Sequence, residues 1–272
     1  MKKYLFLLLV LFTFSSCDLL EDAVEDPAPD IAEGLKEALR VGAQFASNEL
    51  GAADGYFGNE LYKILLPEEI ASNITAFKEA EFLGISGADV YSTGLQEFGI
   101  PSLQSLEDDL ILGINRAAES AATEAAPIFI DAIAGITIQD ANNILFGGQD
   151  DAATQFLRDN TFTALFDTYE PRIDNAISNV TIGSTDVETL YSNFVGTYND
   201  VLNTTVVPIV GTTVADLTDL AAMEDVDLSE FATGEGLDAL FTRVQLEEAN
   251  IRENPLARIN ELLRDVFGLL DQ

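Results

Sequence analysis

The sequence predicts an all-α protein: a single multi-helix, bundle-like domain with about eight to ten helices and at most one short hairpin. Three observations carry this. Apolar residues recur at steps of three and four through most of the 272 residues. Helix punctuation (capping residues, prolines at segment starts, a Gly-Gly stop) cuts the chain into segments of helical length. The only β-branched run is 204–214, and Pro208 and Gly211 interrupt it, so it makes at most a short strand or hairpin.

The N-terminus is read separately. Lys2 and Lys3 precede an apolar run from Tyr4 to Phe14, too short to span a bilayer and fitting a secretory signal peptide. Cys17 is the only cysteine in the chain and stands where a bacterial lipobox would place it. Lipidation of Cys17 accounts for both facts; the alternative is a plain signal peptide with an incidental cysteine. The expected organisation is a lipoprotein signal peptide at 1–16, an acidic lipid-anchored tether at 17–29 and a helical domain at 30–272. The tether carries Pro27 and Pro29 and reaches roughly 40 Å at full stretch.

Within the domain, Asp30 with Glu33 can cap a first helix holding Ile31, Leu35 and Leu39. A turn-rich loop follows, Asp54-Gly-Tyr-Phe-Gly-Asn59. Its Tyr56 and Phe57 either plug the core or face a ligand. Pro67-Glu68-Glu69 starts a helix through Ile70, Ile74 and Phe77, and the glycine-studded stretch 82–104 reads as loop or short helices. From Leu106 the apolar stripe runs through Leu110, Ile114, Ala117, Ala118, Ala121 and Ala125, and its alanine half lets a neighbouring backbone approach closely. Pro127 marks a new segment with Ile128, Phe129 and Ile133. Thr137 and Asp140 then read as a capping box before Ala141, and Gly147-Gly148 as a stop. Asp150 or Asp151 opens a helix expected to end near Pro171, and a short helix then runs to Gly183. Thr185 with Glu188 caps the next. Asp227 opens another helix, interrupted at Gly234 and Gly236, and the last starts on Asn254-Pro255 and carries Ile259 to Leu270 on one stripe.

The formal net charge of −34 repels nucleic acid and anionic lipid, so no nucleic-acid partner is expected and a membrane must be held through the lipid anchor on Cys17. The chain has no histidine and no second cysteine. That excludes Ser-His-Asp and Cys-His catalysis, His-ligated zinc, haem on His or Cys, and internal disulfides. No P-loop or dinucleotide fingerprint is present. Asp225, Asp227 and Ser229 alternate as in an EF-hand loop, but Glu230 stands where glycine is required. No metal and no cofactor is expected. Arg116, Arg158, Arg252 and Arg258 each have an acid within one helical turn: Glu119, Asp159, Glu248 and Glu261. They tie helices together as ion pairs, or they gather to bind a carboxylate or phosphate.

Several segments together resemble the domain of unknown function 4197 family: Gly34-Leu-Lys-Glu-Ala-Leu-Arg-Val-Gly42, Asp54-Gly-Tyr-Phe-Gly-Asn59, Asn115-Arg-Ala-Ala-Glu119, Ala126-Pro-Ile-Phe-Ile-Asp-Ala-Ile133, Thr137-Ile-Gln-Asp-Ala141, Asp151-Ala-Ala-Thr-Gln155, Leu237-Asp-Ala-Leu-Phe241, Ile251-Arg-Glu-Asn-Pro255 and Val266-Phe-Gly268. They span residues 30–268 in order. The resemblance implies an all-helical bacterial envelope domain without an assigned activity. It also makes residues 82–104 an insertion, and Ile136 a replacement for a methionine usual before Thr137.

The expected function is that of a lipid-anchored, non-catalytic envelope protein that binds a partner protein or small ligand, on the periplasmic face of the outer membrane or at the cell surface. The alternative is a hydrolase or lyase using Glu119 or Asp131 with Arg116. The candidate site residues are the polar and aromatic members of the family-like segments: Tyr56, Asn59, Arg116, Glu119, Asp131, Asp140, Arg158 and Arg252.

Overall fold

The computed structural model describes residues 29–271. The expected signal peptide, Cys17 and all of the tether except Pro29 lie outside them. The described chain is all-α, with eleven α-helices: α1 (Ile31–Leu50), α2 (Glu68–Glu79), α3 (Gly87–Thr93), α4 (Leu103–Ala122), α5 (Ala125–Gly135), α6 (Ala141–Phe146), α7 (Ala152–Asn179), α8 (Val187–Asn203), α9 (Val214–Thr218), α10 (Leu228–Glu253) and α11 (Glu261–Phe267). No described helix is long and apolar enough to cross a membrane.

One half of the domain is built on α1, which packs against α10, α5, α11 and α6. Gly34, Ala38, Gly42 and Ala46 recur every fourth residue along α1 and are all buried. That stripe of small residues admits its neighbours closely. A Cβ on Gly42 would stand 3.0 Å from Val244 of α10, and one on Gly34 would strike Val266 of α11. The alanine face of α4 does the same for the end of α1, where Ser47 Oγ donates to the Ala122 carbonyl at 2.6 Å. The other half holds α2, α3, α8 and α9, and α4 and α7 link the two halves. An aromatic cluster fills the second half: Phe77 packs against Phe82, Tyr91 and Tyr198 with ring centroids 6.3, 6.1 and 5.5 Å away. Burial pushes the Tyr198 phenol up to about 12.

Three two-stranded hairpins replace the single one expected: β1 (Glu81–Phe82) with β2 (Ile85–Ser86), β3 (Thr181–Ile182) with β4 (Thr185–Asp186), and β5 (Thr205–Val207) with β6 (Thr212–Thr213). All are antiparallel. Each follows directly on a helix and runs directly into the next, so a helix–hairpin–helix unit recurs three times. The second strand of each pair supplies the N-cap: Ser86 before α3, Asp186 before α8 and Thr213 before α9. Residues 82–104 thus contain a hairpin, α3 and a short 3-10 turn at Gln96–Phe98.

Several boundaries differ from expectation. Helix α7 continues through Pro171 to Asn179. The carbonyl that Pro171 leaves without a donor belongs to Asp167, and Asp167, Thr168 and Pro171 are all exposed, so water can satisfy it. Helix α10 passes Gly234 and Gly236 unbroken. The final helix does not begin at Asn254. That residue caps only a 3-10 turn at Pro255–Ala257, and α11 starts six residues later under Asn260, whose side chain accepts from Leu263 N. The break has a cause: Arg258 folds back, and its Nε and Nη2 donate to the carbonyls of Ile251 and Arg252 at the end of α10. Two expected helices merge in α7, and the short α3 and α9 bring the helices to eleven.

Candidate functional site

Three of the eight candidate residues meet where the loop after α1 is held against α4. Asp54 opens this loop in the left-handed region (φ 64°), and Gly55 presses so close to the Glu49 and Leu50 carbonyls that a Cβ would lie 2.5 Å from each. The turn delivers two backbone N–H groups, of Tyr56 and Phe57, to Glu119 Oε1 at 3.3 and 3.2 Å. Arg116, one turn earlier on α4, donates to Glu119 Oε2 at 2.6 Å and to Asp54 Oδ1 at 2.7 Å. These two hydrogen bonds hold the guanidinium pKa above its ordinary value. Phe57 lies beneath two cations, Lys63 at 4.7 Å and Arg116 at 5.8 Å from its ring centroid. Asn115 beside Arg116 clamps the backbone of Ile64.

Tyr56 plugs the core. It is fully buried, and its hydroxyl donates to the Gly236 carbonyl of α10 at 2.9 Å. Burial first, then Tyr169 and Glu119, push its phenol well above the usual range. Tyr169 of α7 comes to the same point on Gly236, and its buried hydroxyl has no hydrogen-bond partner among the described residues. Asn59 stays within the loop, its Oδ1 accepting from Leu61 N at 3.0 Å.

Arg252 lies in a second buried cluster, at the junction of α6, α7 and α10. Glu248 is fully buried and accepts from the N–H groups of Ala153 and Thr154 at 3.0 and 2.7 Å, and from the Thr154 hydroxyl at 2.7 Å. It caps the N-terminus of α7, where Asp151 makes no side-chain cap of its own. Arg252, one turn on, pairs with Glu248 at 2.7 Å and donates to the Leu145 and Ile144 carbonyls at the end of α6. One ion pair therefore closes the end of one helix and the start of the next. Glu248 is the acid expected within one turn of Arg252, but neither it nor Asn115 stands among the eight candidate site residues. The only signal was the i, i+4 spacing of Glu248 and Arg252, which many exposed helical pairs share.

The remaining candidates stand apart. Arg158 pairs with Asp238 rather than Asp159, over the rings of Phe162 and Phe241. Arg258 pairs with Asp271 rather than Glu261. Asp140 receives the amide of Asn143 instead of capping a backbone N–H. Arg252 borders a small open groove of about 260 Å³ beside the end of α6, and Asp131 lines a larger one of about 670 Å³ between α5 and α7. One face of α5 forms its first wall, with Pro127, Ile128, Asp131 and Ala132. The second wall is one face of α7, with Ala164, Leu165, Thr168 and Arg172, and Thr123 and Glu124 close one end. Among the described residues no group of His, Cys, Asp and Glu is arranged to hold a metal ion.

The family model for a protein of unknown function (DUF4197) matches residues 27–85 and 87–268. The chain belongs to this family. The match runs through residues 82–104 with only Ser86, in the first hairpin, left out, so it does not set this segment apart as the insertion expected from the sequence. No curated protein and no solved structure matches this DUF4197 chain. Its family membership thus agrees with the helical fold and assigns no reaction.

Proposed function

We propose that this DUF4197 protein is a lipid-anchored, non-catalytic binding protein of the bacterial cell envelope, held through Cys17. One observation carries the non-catalytic part. Glu119 and Arg116, the pair on which one enzyme reading would rest, are engaged in holding the loop after α1. Both oxygens of Glu119 are occupied, one by two main-chain N–H groups and the other by Arg116. Arg116 is itself divided between Glu119 and Asp54. Asp131, the other carboxyl considered for acid–base work, lines a groove to which Arg116 does not contribute. A general acid or base needs a reachable proton position beside a substrate; Glu119 offers none, and Asp131 stands in its groove without Arg116. The groove, with an apolar floor and polar rim, has the character of a binding surface.

Envelope localisation rests on the basic start, the short apolar run and the position of Cys17. Two measurements test the reading. In fractionated cells the wild-type chain is expected in the membrane fraction and Cys17→Ser in the soluble fraction; equal partition of the two sinks the anchor. A photo-cross-linking residue at Ala164 is expected to give a discrete adduct in the envelope, while the same label at Asp200 on α8 gives none. Identical patterns from both positions would remove the groove from consideration.

A further inference from the structure

We propose that the α5–α7 groove seats a basic amphipathic helix of a partner protein. This rests on the binding reading above and names the chemistry of its occupant. Shape comes first. The walls are faces of two neighbouring helices, and Ala132 and Ala164 keep both walls low, so the channel follows rods and admits a third at ordinary helix spacing. Pro127, Asp131, Ala164 and Thr168 are exposed along it. A small molecule in so open a channel would keep much of its surface in water, whereas a helix would bury one face against Ile128, Ala132 and Leu165.

Charge decides the rest. The groove contributes two carboxylates, Asp131 and Glu124, and one cation, Arg172, which Glu124 already holds at 3.3 Å. Among the described residues Asp131 has no hydrogen-bond or ion-pair partner, so the local charge left for an occupant is negative. It sits in a chain of net charge −34. Lysines or arginines on the solvent-facing flank of a docked helix would meet Asp131, and the field of the whole molecule would speed their approach. Phosphate-bearing partners are repelled by the same field.

The test uses the full chain and a labelled peptide of about 18 residues with leucine on one helical face and lysine on the other, read by fluorescence anisotropy. Two comparison peptides carry glutamine for every lysine, or serine for every leucine. The leucine–lysine peptide is expected to bind most tightly. Ala132→Phe, which fills the channel, and Asp131→Lys, which reverses the exposed charge, should each weaken it about tenfold or more. Asp89→Lys on α3 should change it less than about twofold. Equal losses from Asp131→Lys and Asp89→Lys would show attraction to the acidic surface as a whole and overturn the proposal. So would binding untouched by Ala132→Phe, or no binding at all. If the leucine–glutamine peptide binds as tightly and Ala132→Phe still expels it, the groove remains a binding surface while the basic occupant is wrong. Because Asp131→Lys changes only an exposed residue, a folding defect in Ala132→Phe leaves the charge arm decisive.

Discussion

Asn115 on α4 engages both backbone hydrogen-bonding groups of Ile64: its Oδ1 accepts from Ile64 N at 2.9 Å, and its Nδ2 donates to Ile64 O at 2.7 Å. The same amide nitrogen reaches the Ile111 carbonyl at 2.8 Å. Asn115 is fully buried, so the segment before α2 is held to the core by a side chain that mimics a strand. Asn115→Ala leaves two buried backbone groups unpaired and should lower stability by about 2–4 kcal/mol in urea unfolding. Asn115→Asp keeps the acceptor but turns a carboxylate oxygen toward two carbonyls, and should lose at least as much. A loss below roughly 1 kcal/mol for either would mean that water replaces the clamp.

Gly34→Ala places a methyl group inside the van der Waals envelope of Val266. Overpacking of this kind costs about 1–3 kcal/mol. Val266→Ala alone should also destabilise, by leaving a cavity. Combined, the two should recover part of both losses, because the new methyl enters the space the valine leaves. Simple additivity in the double variant would refute direct contact between α1 and α11 at this point.

Removing one partner of the Glu248–Arg252 pair leaves a charge in a dry interior. Arg252→Met should cost about 3–5 kcal/mol. Glu248→Gln in the same background should cost less than it does alone, with a coupling of roughly 1–3 kcal/mol. Hydrogen exchange should localise the damage to the first turn of α7, where Ala153 and Thr154 lose their acceptor.

Acid sensitivity has an identifiable source at the C-terminus. The hydrogen bond from Arg258 holds the Asp271 carboxyl below its ordinary value of 3.8. A lowered folded-state pKa contributes stability that is complete above the unfolded value and disappears as the pH falls through the folded one. Asp186 and Asp216, held down mainly by the N–H groups of Thr189 and Thr213, act in the same direction. Melting temperatures of wild type and Asp271→Asn should therefore differ at pH 7 and converge below about pH 3. A gap that persists unchanged into strong acid would exclude the ion pair as its origin.

Leu83 occupies the left-handed region (φ 55°) at the tip of the first hairpin, followed by Gly84 (φ 78°), and is 61% exposed. Leu83→Asn creates the Asn-Gly pair favoured in such turns and should raise stability by up to about 1 kcal/mol. No gain, or a loss, would show that the leucine makes a contact whose value exceeds the backbone strain.

Much of the architecture was legible because helices repeat their signal over many residues. The stripes of α1 and α4 and the cap at Asp30 read correctly, while the cap expected at Thr185 belongs to Asp186. What escaped were features decided by distant partners. Two-residue strands such as Glu81–Phe82 contain no periodicity to detect. The start of α11 moved because Arg258 caps a different helix, and Pro171 was tolerated because its side of α7 faces water. At the candidate site, the Arg116–Glu119 and Arg252–Glu248 pairs were visible in their spacing. Asp54, Asp238 and Asp271 could not be paired with their arginines, since 62, 80 and 13 residues separate them. The groove was invisible: α5 and α7 each show an ordinary amphipathic face, and only their packing leaves a channel between them.

The docking of α1 on α11 also sets a timetable. Gly42 and Gly34 of α1 are covered by Val244 and Val266, so this part of its small-residue face waits bare until about two hundred further residues are made. At ordinary rates of synthesis that delay is on the order of ten to forty seconds. During it the core cannot close, whatever local helices form. A turn made more than two hundred residues after Gly34 is the one that locks it in place.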